Sequence, residues 1–133
     1  MSDTLFDKGH ELRKAVLGPE VVDGFTPSSD EFSGPMHQLS TEYCWGKVWA
    51  RPGLSLKTRS MLNIAMLVAL NRSSVLKLHV EGALRNGCTK EEIREVLLQA
   101  AVYCGIPAGQ EGFKAAHEVF AELDKKVSSI SLT

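Results

Sequence analysis

The sequence has no apolar run long enough to span a membrane: its longest, MLNIAMLVAL at 61–70, holds ten residues and is interrupted by Asn63. The opening MSDTLFDKGHELRK is polar and has no apolar h-region, so no secretory signal is expected. Cysteine is scarce. Cys44, Cys88 and Cys104 are three in number with no close pair, which argues against a disulfide framework and against a zinc site. Free thiols in a reducing cytoplasm are expected, each packed as a small hydrophobe. The eleven glycines are dispersed, most of them at expected helix ends, so there is no glycine-rich loop to cradle a phosphate. No nucleophile elbow with serine, histidine and aspartate is recognisable. A nucleotide enzyme and a serine hydrolase are therefore not indicated. With a net charge of -1 and no basic stripe along any segment, nucleic acid is not an expected partner. Strand alternation, internal repeats and low-complexity segments are missing too.

Helical periodicity is what remains. At 44% hydrophobic and 133 residues the chain can build one core, and a single domain over 1–133 is expected. The class is all-α, with about six helices. The first carries Leu5, Phe6, Leu12, Val16 and Leu17 and stops at Gly18-Pro19; a loop is expected over 18–30. A second helix is expected from about Asp30, or from Ser33 because Pro35 suits a first turn, to Trp49. The third begins near Ser55 and is apolar from Met61 onward except at Asn63, which predicts a central helix buried on all sides and stopped by Asn71. Ser73 or Ser74 caps the fourth, which ends at Asn86-Gly87. Thr89 and Glu92 form a capping box for the fifth, broken at Gly105-Ile106-Pro107. The last helix is expected over about Ala108–Lys125, with a loose tail after it. The apolar faces of the third and fifth helices exceed what so small a domain can bury alone, which predicts a homo-oligomer.

Two places could carry chemistry. In SSVLKLHVEGALRNG, His79 has Val75, Leu76, Gly82 and Ala83 one turn to either side, so its imidazole points into packing or a cavity. A core histidine bonded to a backbone carbonyl and a functional imidazole both fit. A metal ligand does not, because His10, His37 and His117 are scattered and no ligand partner lies nearby on the same helix. In WGKVWARPGLSLKTRS, Trp45 and Trp49 precede Arg51, and Arg59 follows one turn into the next helix. Aromatic walls with guanidinium groups suit a small unsaturated anion; packed tryptophans with solvated arginines fit equally well.

The chain resembles the carboxymuconolactone decarboxylase family from about Phe6 to Leu123. The resemblance rests on FDKGHELRKAVLG, WGKVWARPGL, KTRSMLNIAMLVALNR, LKLHVEGALRNG, TKEEIREVLLQAAVYCGIPA and FKAAHEVFAEL, in that order. It implies the all-helical fold shared with the alkylhydroperoxidase D-type enzymes, assembled as trimers or hexamers. Those relatives carry C-x-x-C followed by a histidine. With His79 in that histidine's place, the cysteine positions are Arg72 and Val75, so disulfide-based peroxide reduction is excluded. The implied activity is decarboxylation of 4-carboxymuconolactone to 3-oxoadipate enol-lactone in protocatechuate catabolism, with a small anionic lactone as substrate and no cofactor, because the lactone is its own electron sink. In that scheme Arg51 binds carboxylate with Arg59 or Arg72 as a second clamp, Trp45 and Trp49 wall the ring, His79 is the acid, and Glu42 orients an imidazole or holds a water. Ser74, Val75, Glu81 and Gln110 depart from the family pattern. They admit two alternatives: a relative acting on another small carboxylated lactone or β-keto acid, and an oligomeric binding module without turnover.

Overall fold

A computed structural model describes residues 4–25 and 30–131. Among these described residues, seven α-helices and one π-helical segment make up the regular structure, and no strand occurs. By backbone contacts the chain divides into two compact units, Met1–Arg59 and Ser60–Thr133.

The first unit holds α1 (Leu5–Leu17), α2 (Pro19–Phe25), α3 (Gly34–Leu39) and the π-segment (Ser40–Trp49). Thr4 caps α1 by accepting from the Asp7 amide at 3.1 Å, and Gly18, at φ 96°, ends it. The loop expected over 18–30 is helical from 19 to 25; the rest of that loop lies in part outside the described residues. Pro19 sits where helices accept proline best, Glu20 follows in the first turn, and Val22 is fully buried, so burial overrides the turn-like composition. Asp30 accepts from the Phe32 amide at 2.9 Å just before α3. The expected second helix is one continuous helical path, but from Ser40 on it is π-helical. α1 crosses the π-segment in near backbone contact. A Cβ on Gly9 would lie 1.9 Å from the Thr41 carbonyl oxygen, and one on Gly46 would lie 2.6 Å from the Leu5 oxygen.

The second unit is built from α5 (Ser73–Arg85), α6 (Lys90–Cys104) and α7 (Ile106–Ser131), with most of α4 (Leu56–Ala69). Ile64, Val68, Leu76, Val80, Ile93, Leu97, Ala116 and Val119 form its core. Ser55 caps α4 through the Thr58 amide, and both bonds of the Thr89–Glu92 capping box are made. Asn71, at φ 57°, turns the chain between α4 and α5. Three expectations are corrected. α4 is not buried all round: Leu62 and Met66 are 46% and 52% exposed. Neither Ser73 nor Ser74 caps α5, whose N-cap position is Arg72, with no side-chain cap bond. α7 starts earlier and runs on through Ser131, because Pro107 fits its first turn and helix continues through the tail expected to be loose.

Candidate active site

His79 is buried, at 6% exposure, among Leu76, Val80, Gly82 and Ala83 on α5. Its Nδ1 lies 3.3 Å from the side-chain nitrogen of Asn63 on α4. Seven residues on, at the C-cap of α5, the Asn86 amide donates to the fully buried Ser60 hydroxyl at 2.9 Å. Ser60 and Asn63 are three apart on α4, so they share a face. Two partly buried polar pairs thus link α4 with α5 and its C-cap, beside the apolar core. Each member is expensive to bury alone and tolerable when paired. Asn63 is the residue that sequence reasoning passed over. Its signal was there, as the lone polar side chain in MLNIAMLVAL.

The neighbours of His79 along the helix do other work. Glu81, two residues on, falls on a different face, pairs with Arg85 at 3.7 Å, and lines an open cavity of about 470 Å³ with Lys77, Glu118 and Lys126. Lys77 and Glu118 form an ion pair there, which holds the Glu118 carboxyl below its usual range. This cavity is large enough for a ligand, but its charges largely satisfy one another. Ser74 and Val75 are exposed. Arg72 is also exposed and lines a cleft of about 10 Å³ with Asn71, Leu76 and Glu111, room for roughly one water.

In the first unit, Trp45 and Trp49 are both buried and stack with ring centroids 4.6 Å apart. The π-segment that carries them also carries Glu42, half-buried. Arg51 is exposed, and its carbonyl accepts from the Arg59 guanidinium at 3.2 Å. The Arg59 Nε is buried with no hydrogen-bond partner, which leaves this guanidinium a donor to spare for an acceptor such as carboxylate. A further polar group lies on α1 and α3. Arg13 donates to Thr41 at 3.3 Å and sits 3.5 Å from His37 Nδ1, while Phe6 stacks on His10 and meets His37 edge-on. Desolvation lowers the Arg13 and His37 pKa values, and partial desolvation of the thiol raises that of Cys44 although the residue as a whole is exposed. All three cysteines are free, as expected, but only Cys88 is buried; Cys44 and Cys104 are exposed. Among the described residues, no group of three or more His, Cys, Asp or Glu side chains could hold a metal ion, and no helix is long and apolar enough to cross a membrane.

The described residues that have regular structure are all helical, they hold a histidine–amide pair at His79 and Asn63, and Arg72 and Val75 stand at the two positions before that histidine where a redox pair would need thiols. The profile of the carboxymuconolactone decarboxylase family matches residues 35–118, and the chain belongs to that family. It is similar to the nitrosuccinic acid decarboxylase npaB of Metarhizium robertsii, 46% identical over 104 residues that cover 78% of this chain and 73% of the relative. It is also 36% identical to the 4-carboxymuconolactone decarboxylase of Acinetobacter baylyi over 118 residues, covering 89% of this chain and 88% of the relative.

Proposed function

We propose that this chain decarboxylates a small dianionic acid whose own acceptor group takes up the electron pair released with CO2, and that nitrosuccinate is the favoured substrate. The higher identity to the nitrosuccinic acid decarboxylase carries the choice. In nitrosuccinate the carboxylate to be lost and the nitro group share one carbon. Breaking the carbon–carboxylate bond sends its electron pair into the nitro group as a nitronate, and protonation of that carbon gives 3-nitropropanoate. The sink lies in the substrate, so the chemistry asks no cofactor of the protein. What it asks for is a cation for the remaining carboxylate, a donor toward the developing oxyanion, and a dry wall.

His79 is assigned the oxyanion, Arg59 and Arg51 the retained carboxylate, with Arg72 as a further clamp, and Trp45 and Trp49 the wall; Glu42 is assigned to order a water. Donors aimed at developing charge commonly contribute most to such catalysis, and removal of one costs roughly 10²–10³ in rate. The second reading is 4-carboxymuconolactone, favoured by the longer alignment to its decarboxylase. There the pair released with CO2 spreads through the ring double bond to the lactone carbonyl as a dienolate, and the demands on the protein are the same. The test is to supply each acid to the purified chain and follow CO2 release with the ultraviolet absorbance of the product. Turnover of nitrosuccinate at a kcat/KM at least tenfold above the lactone is expected. The reverse preference installs the second reading, and turnover of neither removes both.

A further inference from the structure

The proton of a neutral imidazole can sit on either nitrogen, and the two tautomers do different chemistry. Asn63 bears on which one His79 adopts. A carboxamide nitrogen carries two hydrogens and no lone pair to offer, so it can only donate. With Asn63 Nδ2 at 3.3 Å from His79 Nδ1, that ring nitrogen must present its lone pair, and the ring proton belongs on Nε2. Protonating Nδ1 as well would set two donors face to face in a buried site, where an unmatched polar contact is most costly. The surroundings hold the amide in place. Asn63 is half-buried on α4, and the next residue, Ile64, is fully buried. The Ser60–Asn86 bond fixes the same two helices farther along.

We propose that Asn63 is a positioning residue that locks His79 in the neutral Nε2–H tautomer. The catalytic consequence rests on the decarboxylase reading: His79 acts as a fixed hydrogen-bond donor to the developing nitronate or dienolate oxygen. It does not act as an imidazolium that hands a proton to carbon. The proton on carbon then comes from a water or from another acid. Atoms and electrons balance: CO2 departs without its bonding pair, the pair resides on the acceptor group, and one proton arrives at the carbon skeleton it leaves behind.

The experiment is long-range ¹H–¹⁵N correlation of the uniformly ¹⁵N-labelled full chain at neutral pH, with kinetics on three variants. In the wild-type chain, Nδ1 of His79 is expected at a pyridine-like shift and Nε2 at a pyrrole-like shift. The opposite tautomer, or an imidazolium pair of shifts, overturns the proposal. Asn63→Leu removes the lock: the two ¹⁵N shifts should average toward a mixture of tautomers, and kcat should fall by up to roughly 10²-fold, as loss of catalytic positioning can cost, while KM changes less. An unaltered Nε2–H signature in Asn63→Leu overturns the proposal. Asn63→Asp keeps the shape and needs no refolding of the core. Its carboxylate should draw the proton to Nδ1, and a spectrum like that of the wild type overturns the lock. Asn86→Ala breaks the neighbouring pair on the same helices and should leave the His79 tautomer untouched; a tautomer change there would mean that general packing, not Asn63, sets it. The spectrum needs no substrate. Failure of turnover therefore removes the decarboxylase reading and leaves the lock to be judged by the ¹⁵N shifts.

Discussion

His79 stands at the centre of the residue-scale predictions. For His79→Ala, decarboxylation should fall at least tenfold, measured as kcat on whichever acid is turned over; a smaller loss would take His79 out of the chemistry. Arg59→Lys replaces a planar fork by a point charge, so substrate binding should weaken with little effect on the bound step, read as a raised KM. His37 supplies a pH prediction for stability. Burial first, then the positive charge of Arg13, then His10, hold its pKa below the ordinary 6.5. In the unfolded chain the imidazole takes up its proton near that ordinary value, while in the folded chain it resists. Its share of stability is therefore complete above about pH 6.5 and is lost as the pH falls from there toward the lowered folded pKa. Asp30 and Glu31 line the cavity beside His37, so part of the charge there is offset. The urea midpoint should drop between pH 7.5 and 5.5, and by less in His37→Gln. At this scale the sequence exposed the burial of His79, because Leu76, Gly82 and Ala83 recur at helical spacing. It could not expose the pairing with Asn63. That contact spans 16 positions and depends on how two helices cross.

Among the elements, the sharpest case is the crossing of α1 over the π-segment. A methyl on Gly9 would collide with backbone at Thr41 and Gly46, atoms that cannot swing aside as a side chain can. Gly9→Ala should therefore cost about 1–3 kcal/mol or more, as overpacking does, visible as a lower Tm in a thermal melt. Most helices were legible because their apolar spacing and their caps agree, as at Thr89 with Glu92 and at Ser55. α2 was not, since Gly18, Pro19 and Asp23 read as loop until Val22 finds a buried place. The π-geometry was not legible either. Positions such as Trp45 and Trp49 look alike in an α-helix and in its wider relative, and only the hydrogen-bond ladder separates them.

For the whole molecule, the exposed apolar side chains carry the argument. Leu62 and Met66 on α4 are followed by Leu70 just past its end, while Leu98, Val102 and Tyr103 lie on α6, the last at 83% exposure. Contiguous apolar surface of this kind marks association sites. Sedimentation at micromolar concentration should find an oligomer, and a clean monomer would contradict it. Replacing Val102 and Tyr103 together by Lys and Glu should lower the mass found. The family was legible in full from ordered motifs. The substrate was not, because, of the positions that depart from the pattern, Ser74 and Val75 are exposed and Glu81 is paired with Arg85.

The π-segment also bears on how this chain can change over time. A helix that closes each ring with one residue more than the α-form holds a spare residue. Substitutions there leave the phase intact. A single deletion between Ser40 and Trp49 would let the ladder tighten to the α-form and turn the downstream residues by about 100° around the axis, one residue's share of a turn. Trp45 and Trp49 could then no longer both keep their buried side relative to α3. Descendants of this sequence should therefore vary in side chains along 40–49 and hold its length fixed, so length in this one segment is an inherited trait as strict as any catalytic residue.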